Sequence, residues 1–173
     1  MIKVAVILAN GCEELEALTP VDVLRRANVT VDTVSIADKK VCGSHKIEIT
    51  ADKLLGEINQ QEYSALILPG GMPGAKNISE NPVVVGWVRN FLKNGKIIGA
   101  ICASPAVILA KHGLLEGYLA TCYPANDFVD ALGDNYAQID VCESKNLITA
   151  NGPKSAMAFA LAICKALDVT ARF

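Results

Sequence analysis

The sequence has few aromatic residues, only two histidines and no large excess of charge of either sign. Aromatic side chains make up 5% of the 173 residues, whereas 51% of the residues are hydrophobic. The core must therefore consist mainly of Val, Ile, Leu and Ala, which is typical of parallel sheets covered by helices. The formal net charge of −2 lacks the basic excess with which proteins bind nucleic acids or anionic membranes, so neither partner is expected.

Long hydrophobic runs and paired cysteine motifs are also absent. The apolar run Ile2–Ala9 is too short to span a membrane, and acidic residues follow it where a signal peptide needs a cleavage site. The six cysteines lie at least 20 residues apart, so no Cys-x-x-Cys pair suggests a metal site or a thioredoxin motif. We therefore expect a cytoplasmic protein with reduced thiols and, from its length, a single domain over residues 1–173.

The hydrophobic pattern alternates between short apolar runs and amphipathic stretches. It predicts strands at Ile2–Ala9, Val29–Ile36, Ser64–Pro69, Lys96–Ile101, Tyr118–Cys122, Ala137–Val141 and Leu147–Ala150. It predicts helices at Glu13–Asn28, Pro82–Asn94, Ala103–Ala110, Ala125–Leu132 and Lys154–Leu167. Segments 41–42 and 45–50 look like a small antiparallel excursion. The order indicates an α/β fold, namely a flavodoxin-like, doubly wound, mostly parallel sheet with helices on both faces.

Cys102 lies where the strand Lys96–Ile101 meets the following helix, and this corner is the centre of the predicted site. Small residues on both sides allow a sharp turn, as in the strand-to-helix elbow that exposes a nucleophile in hydrolase folds. Pro105 fits the first turn of that helix. The helix N-terminus favours a thiolate and can lower the pKa of a thiol. The alternative is a buried, inert cysteine of an α/β core.

Three loops are expected to meet at the carboxyl ends of the parallel strands: Asn10–Glu16, Gly70–Gly74 and the turn at Cys102. Together they supply a carboxyl group, backbone donors and a thiol. The acidic residues Glu13, Glu14 and Glu16 have an alternative interpretation, as solvated carboxylates that complement the helix dipole. The Gly70-Gly71 pair is followed by neither a Gly-x-Gly-x-x-Gly fingerprint nor a Walker Lys-Ser/Thr, so a nucleotide site is disfavoured.

Several linked motifs resemble the ThiJ/PfpI superfamily, and their order and spacing match its parkinsonism-associated deglycase (DJ-one) branch from Met1 to about Leu167. The motifs are Ile7-Leu8-Ala9, Glu13-Glu14-Leu15-Glu16, Pro20-Val21-Asp22-Val23-Leu24-Arg25-Arg26-Ala27, Leu68-Pro69-Gly70-Gly71 and Ala100-Ile101-Cys102-Ala103-Ser104-Pro105. The resemblance implies that Cys102 is an oxidation-sensitive nucleophile and that Glu16 is the carboxyl group hydrogen-bonded to it. It also implies that the N–H groups of Gly71 and Ala103 are oxyanion donors.

The same resemblance implies a cytosolic homodimer that needs no metal and no organic cofactor. The function it implies is a glutathione-independent glyoxalase or deglycase acting on small aldehydes or glycated substrates. A non-catalytic redox sensor or stress chaperone that uses the same cysteine is the alternative. In the family, the first helix packs across the two-fold axis and brings Arg26 towards the partner's pocket, although Arg26 here could equally be solvated. Gly70 is expected beside Gly71 and Ala103 among the oxyanion and backbone residues, and Tyr123, Gly152 and Pro153 complete the expected pocket.

Two positions depart from the family pattern. Tyr123 stands where animal members carry a histidine near the thiol, and Ala103 stands where protease-like members carry one directly after the cysteine. The remaining histidines are His45, in the expected antiparallel excursion, and His112, near a helix C-terminus where a contact with the helix dipole is expected. A Cys-His peptidase is therefore disfavoured.

Two further thiols lie near the expected pocket in sequence. Cys12 is in the loop that leads to Glu16, and Cys122 precedes Tyr123. Either could resolve a sulfenic acid on Cys102, or both could be small buried residues of the core, because a disulfide needs Cα atoms within roughly 7 Å.

Overall fold

A computed structural model describes residues 1–173, and its strands form one seven-stranded sheet and a separate two-stranded ribbon. The strands are β1 (Lys3–Leu8), β2 (Thr30–Ser35), β3 (Lys40–Cys42), β4 (Glu48–Thr50), β5 (Lys53–Leu54), β6 (Ala65–Leu68), β7 (Ile97–Ile101), β8 (Val141–Ser144) and β9 (Leu147–Ala150). The large sheet has the order β5-β2-β1-β6-β7-β9-β8. All neighbours are parallel except β8 and β9, and β3 pairs with β4 in an antiparallel ribbon.

The helices lie between strands of the large sheet in sequence, except the last, which follows β9. They are α1 (Glu14–Arg26), α2 (Gly74–Ser79), α3 (Pro82–Lys93), a π-helical segment (Pro105–Ala110), α4 (Asn126–Leu132) and α5 (Ala156–Ala166). Short 3₁₀ turns lie at Leu55–Glu57, Gln60–Glu62, Gly133–Asn135 and Pro153–Ser155. The side chain of Asn81 accepts hydrogen bonds from Val83 and Val84 at the start of α3, where Pro82 needs no partner for its missing N–H.

Two hydrophobic clusters cover the two faces of the large sheet. One contains buried residues of α1 and α5, and the other contains buried residues of α3 and the π-helical segment. Strand β1 contributes to both, because its alternate side chains point to opposite faces. The predicted flavodoxin-like, mostly parallel sheet with helices on both faces and a small antiparallel excursion is thereby confirmed.

The prediction of a strand at Tyr118–Cys122 is wrong. The N–H groups of Leu119 and Thr121 bond to the side-chain oxygens of Ser144 and Thr149, and only Ala120 forms a single bridge, with Tyr136. Because side chains take these donors, no ladder of backbone hydrogen bonds can form.

Other elements lie at bounds different from those predicted. The strand predicted at Ala137–Val141 is instead β8, at Val141–Ser144, where it forms the antiparallel edge of the sheet. The helix predicted from Lys154 begins with a 3₁₀ turn and becomes α-helical at Ala156. Helix α2 was not predicted. Among the helices, none combines the length and the apolar character that crossing a bilayer would require.

Candidate active site

Cys102 occupies a sharp turn directly after β7. Its φ angle is +66°, in the left-handed region that side chains other than glycine adopt only at a cost of about 1–3 kcal/mol. Two hydrogen bonds hold this backbone: the Cys102 N–H donates to the carbonyl of Ala150 at 2.9 Å, and the Cys102 carbonyl accepts from the Tyr123 N–H at 2.9 Å. The predicted elbow is present, and the strained residue is the thiol-bearing one.

The helix after Cys102 differs from the compact α-helix that the sequence predicted. The N–H groups of Lys111 and Leu114 donate to carbonyls five residues earlier, which is the hydrogen-bond pattern of a π-helix. The hydroxyl of buried Ser104 donates to the carbonyl of Pro69 at 2.5 Å. The elbow is therefore fixed to the loop after β6, an anchor that the sequence analysis did not identify.

Glu16 lies in the first turn of α1 and is fully buried beside Cys102. Its Oε2 accepts a hydrogen bond from the Gly70 N–H at 2.8 Å. Its Oε1 is buried and has no hydrogen-bond partner. After burial, the Cys102 thiol has the largest effect on the pKa of this carboxyl group. The structure thus brings together the carboxyl group and the thiol that the sequence analysis paired.

Gly70 and Gly71 bring the backbone close to both reactive groups. A Cβ atom at Gly70 would lie 2.6 Å from the Cβ of Cys102 and 2.6 Å from Glu16 Oε2, so a larger residue does not fit. Gly71 has a φ of +81°, and its N–H faces the sulfur of Cys102, as does the N–H of Ala103. The Gly70 carbonyl also accepts from the Glu13 N–H at 3.0 Å. The three predicted loops therefore meet at one edge of the sheet.

The pKa values of the two reactive groups are linked. Burial raises the pKa of the Glu16 carboxyl group to about 7, although hydrogen bonds from the Cys102 thiol and the Gly70 N–H act in the opposite direction. Burial, followed by the charge of Glu16, also raises the pKa of the Cys102 thiol, and the N–H groups of Gly71 and Ala103 only partly compensate. Because the charge of Glu16 acts on the thiol and the thiol donates to Glu16, the two groups titrate as a coupled pair.

A lowered thiol pKa was one expectation from the sequence, and the structure does not support it. The helix N-terminus acts on the sulfur as expected, because the N–H groups of Gly71 and Ala103 favour the thiolate. Burial beside an anionic carboxyl group outweighs this effect. A thiolate is favoured only when Glu16 carries the proton, so the two groups must be treated as one acid–base pair.

A cleft of about 500 Å³ lies beside the elbow and is lined by Tyr123, Pro124, Asn151, Gly152, Pro153 and Lys154. It contains the predicted pocket residues Tyr123, Gly152 and Pro153. The Tyr123 ring lies over Gly152, where an added Cβ would be 3.3 Å from the ring, and the Tyr123 side chain remains partly exposed. Lys154 and Asn151 were not predicted; Lys154 adds a positive charge to this wall.

Arg26 does not lie in this cleft within one chain. It is at the last turn of α1, about 15 Å along the helix axis from Glu16. Its Nε donates to the Asp22 carboxylate at 3.1 and 3.2 Å, and its guanidinium lies 5.5 Å from the ring centre of Phe173. Its contribution to the pocket of a partner subunit stays a prediction.

All six cysteines are free in the structure. Cys12 and Cys122 are completely buried, and burial raises the pKa of each thiol to about 11. Complete burial excludes solvent from both sulfurs. The resolving role considered for them stays a prediction, and these surroundings favour the alternative of small core residues.

Glu13 and Glu14 are not the solvated carboxylates that the dipole interpretation predicted, since they are only 7% and 4% exposed. Glu13 is the N-cap of α1, and its Oε2 accepts from the Glu16 N–H at 2.9 Å. Glu14 accepts from the N–H groups of His45 at 2.8 Å and Ile47 at 3.3 Å. The turn between β3 and β4 therefore lies directly on the start of α1, a long-range contact without a sequence signal.

Neither histidine makes a hydrogen bond to the Cys102 thiol. His45 Nδ1 lies 3.1 Å from Glu14 Oε2. His112 follows the π-helical segment, and its Nε2 lies 3.0 Å from both the hydroxyl and the carbonyl oxygen of Ser79. His112 thus has a specific partner on α2 in addition to its place at a helix end.

The motifs and the fold agree with known proteins. The model of the DJ-1/PfpI family matches residues 2–166. The chain belongs to the DJ-1/PfpI family. The resemblance inferred from the motifs at Glu16, Gly70-Gly71 and Cys102 is thereby confirmed, and a DJ-1-type function follows at that general level.

Relatives within the DJ-1/PfpI family cover most of the chain. The Parkinson disease protein 7 homolog of Danio rerio is 37% identical over 169 residues, which are 95% of this chain and 89% of the relative. Protein DJ-1 homolog B of Arabidopsis thaliana is 37% identical over 163 residues, and the chain spans only 37% of that relative's length. The structure of oxidized Toxoplasma gondii DJ-1 superposes with a TM-score of 0.92 at 38% identity, covering 96% of this chain and 91% of that one.

Proposed function

We propose that this DJ-1/PfpI protein is a cysteine-dependent enzyme that converts small reactive aldehydes without glutathione or another cofactor. The observation that carries the proposal is the buried pair of Cys102 and Glu16, with a carboxyl pKa raised to about 7. A group with a pKa near the working pH both accepts and returns protons efficiently. The isomerisation of an α-oxoaldehyde needs this type of group, because it moves a proton between neighbouring carbons without net oxidation.

The first step is addition of the Cys102 sulfur to the aldehyde carbon. A carbon–sulfur bond forms, and the carbonyl electron pair moves to the oxygen. The N–H groups of Gly71 and Ala103 face the sulfur and are therefore close to this new oxyanion, to which they donate. The proton shared with Glu16 leaves the sulfur before attack and remains on the carboxyl group, from which it neutralises the oxyanion.

In the second step, the Glu16 carboxylate removes the C–H proton of the hemithioacetal and returns it to the neighbouring carbonyl carbon. The hydroxyl proton of the hemithioacetal moves to the oxygen of that neighbouring carbon, so the thioester C=O forms as the second carbonyl becomes a hydroxyl group. The product is a thioester of Cys102 with a 2-hydroxy acid, and water hydrolyses it to free the thiol. The Gly70 N–H holds Oε2 in place, and Oε1 has no hydrogen-bond partner that would compete for the proton. The overall reaction adds one water molecule to the α-oxoaldehyde and gives the 2-hydroxy acid.

The cleft beside Cys102 supplies the substrate space. Its exposed Tyr123 has a hydroxyl that can donate to the second carbonyl of the substrate or to water, and a phenol is a poor base at neutral pH. We expect Tyr123 to orient rather than to transfer a proton. Without a histidine at this position, turnover is expected to be slow.

Lactate formation from methylglyoxal without added glutathione tests this function. Wild-type protein should form lactate, and Cys102→Ser should form none. Cys42→Ser is the matched control, because Cys42 is the exposed thiol on β3 and should not affect turnover. Lactate formation that survives in Cys102→Ser would overturn the assignment of the nucleophile.

A redox sensor is the second candidate function for Cys102. The half-buried thiol lies beside a carboxyl group and two N–H donors that would bind the oxygens of an oxidised sulfur. The relative from Toxoplasma gondii is described as oxidized. Two equivalents of peroxide would convert the thiolate first to sulfenic and then to sulfinic acid, releasing one water each time. A sensor without enzyme activity should be oxidised at Cys102 yet form no lactate.

We further propose a homodimer that forms through α1. Leu15 is 58% exposed, and it lines one shallow cleft together with Leu18 and with Ile47 of the turn before β4. An exposed apolar surface on a helix that also carries the pocket residue Glu16 suits a self-complementary interface. Sedimentation should give twice the chain mass of 18.3 kDa, and Leu15→Glu with Leu18→Glu should give the single mass. Leu119→Glu is the control, at an exposed leucine elsewhere.

We also propose that the protein acts in the cytoplasm. Six unpaired cysteines are typical of a reducing compartment.

A further inference from the structure

Three metal-binding side chains converge outside the Cys102 site, at the junction of α1 with the turn between β3 and β4. Glu13 and Glu14 belong to the start of α1, and His45 belongs to that turn. Their ligand atoms all lie within 4.8 Å of one another. His45 Nδ1 is 3.1 Å from Glu14 Oε2 and 3.6 Å from Glu13 Oε1.

These separations suit ligands of a single ion. Metal–ligand bonds of about 2.0–2.2 Å at tetrahedral angles place neighbouring ligand atoms about 3.3 Å apart. The two measured distances, 3.1 and 3.6 Å, lie on either side of that value. The two carboxylate oxygens lie within 4.8 Å of each other, so binding of one ion between the imidazole and both carboxylates requires them to approach by up to about 1.5 Å.

Apart from a 3.2 Å contact between the Ser44 hydroxyl and His45 Nδ1, the ligand atoms have few other partners. Glu13 is 7% exposed, and its Oε1 accepts no hydrogen bond and faces His45. Glu14 Oε2 has only the His45 ring and a 3.4 Å contact from the Ser44 hydroxyl. Two carboxylate oxygens thus face one imidazole nitrogen, which either donates a proton to Glu14 or binds a cation together with both carboxylates.

The second oxygen of each carboxylate is held by the backbone. Glu13 Oε2 accepts from the Glu16 N–H at 2.9 Å, and Glu14 Oε1 accepts from the His45 N–H at 2.8 Å. Outer hydrogen bonds of this kind orient metal ligands and strengthen metal binding. The turn itself is fixed to the loop before α1, because the Ser44 N–H donates to the Cys12 carbonyl at 2.9 Å. The geometry is thus built before any ion arrives.

We propose that Glu13, Glu14 and His45 form a binding site for a divalent transition-metal ion of the zinc class, with water as the remaining ligand. An imidazole nitrogen favours zinc or a similar ion over magnesium and calcium, which prefer oxygen ligands. No metal site was expected from the sequence, since no cysteine pair suggested one and the family resemblance implied none. The ion would link the turn between β3 and β4 to α1, outside the chemistry of Cys102.

Zinc titration of chelator-treated protein by calorimetry tests the site. Cys42→Ser with Cys102→Ser serves as the background, so that the exposed thiol and the site thiol cannot bind the ion. We expect one ion bound per chain. His45→Gln, at a largely exposed side chain, should weaken binding at least tenfold, and Glu13→Gln should do the same.

His112→Gln is the matched control, because His112 is the other histidine and contacts only Ser79 among polar partners. It should bind zinc like the background protein, and a tenfold excess of magnesium should not displace the zinc. Cobalt(II) in the same site should give visible absorption bands that His45→Gln abolishes. Absence of saturable zinc binding, an unchanged affinity in His45→Gln, or displacement by magnesium would each overturn the proposal.

Discussion

The first turn of α1 carries two buried carboxyl groups with opposite acid–base behaviour. Glu16 is fully buried and Glu14 nearly so. Burial raises the pKa of Glu16 to about 7, and one backbone N–H together with the Cys102 thiol does not reverse this. Burial also acts on Glu14, but backbone N–H groups and the His45 ring outweigh it and hold its pKa below the ordinary value. The number of donors, and not burial alone, separates a proton carrier from a structural anion.

The largest expected effect distinguishes these two carboxyl groups by activity. Glu16→Gln keeps an acceptor for the Gly70 N–H but cannot carry a proton, so turnover of methylglyoxal should fall by about 10²- to 10⁴-fold. Hemithioacetal formation with Cys102 should remain detectable by mass spectrometry. Wild-type turnover in Glu16→Gln would make this carboxyl group structural and favour the redox sensor.

The pH dependence of stability should have opposite signs for the two groups. The raised pKa of Glu16 means that its contribution to stability is present below about pH 4.5 and is lost as the pH rises through about 7. As the pH rises from about 4.5 to about 7, the free energy of unfolding of Glu16→Gln should therefore increase relative to that of wild type, by up to about 3 kcal/mol. Urea unfolding at several pH values measures this difference, and a constant difference would contradict it.

Glu14→Gln should destabilise the protein and leave the chemistry of Cys102 in place. Its charge strengthens hydrogen bonds from His45 and Ile47, so its loss should cost about 1–3 kcal/mol at neutral pH. The lowered pKa of Glu14 gives stability that is present above about pH 4.5 and lost as the pH falls below it. Glu48→Gln, at an exposed carboxylate of β4, is the control in urea unfolding. If folded Glu14→Gln lost turnover to the same extent as Glu16→Gln, the distinction between a proton carrier and a structural anion would fail.

The smallest expected effect concerns Tyr123. Its exposed hydroxyl has no hydrogen-bond partner in the protein and is a poor base. Tyr123→Phe should therefore reduce kcat/KM for methylglyoxal less than tenfold, mostly through KM. A reduction as large as that of Glu16→Gln would assign the proton transfer to the phenol.

The sequence was sufficient for the parts of this account that depend on local pattern. Apolar runs predicted β1, β6 and β7, and parallel order alone placed Glu16, Gly70 and Cys102 at one edge of the sheet. Burial of Glu13 and Glu14 could not be predicted, because it arises from His45 and Ile47, which lie more than 30 residues away in sequence.

Hydrogen-bond patterns that involve side chains also escaped prediction. The residues after Pro105 have ordinary helical character, and only the backbone shows that they form a π-helix. The apolar run Tyr118–Cys122 resembles a strand, but the hydroxyls of Ser144 and Thr149 take two of its N–H groups. A lowered pKa was expected for the Cys102 thiol from the helix N-terminus alone. Burial and the neighbouring carboxyl group of Glu16 raise this pKa instead.

A carbon-detected NMR titration of the Glu16 carboxyl group tests the central claim most directly. The signal is assigned by its loss in Glu16→Gln. The account predicts an apparent pKa near 7 in wild type, and a higher one in Cys102→Ala, where the thiol no longer donates a hydrogen bond. Titration near the ordinary value of 4.5 in both proteins would contradict the shared proton and the role of Glu16 as proton carrier.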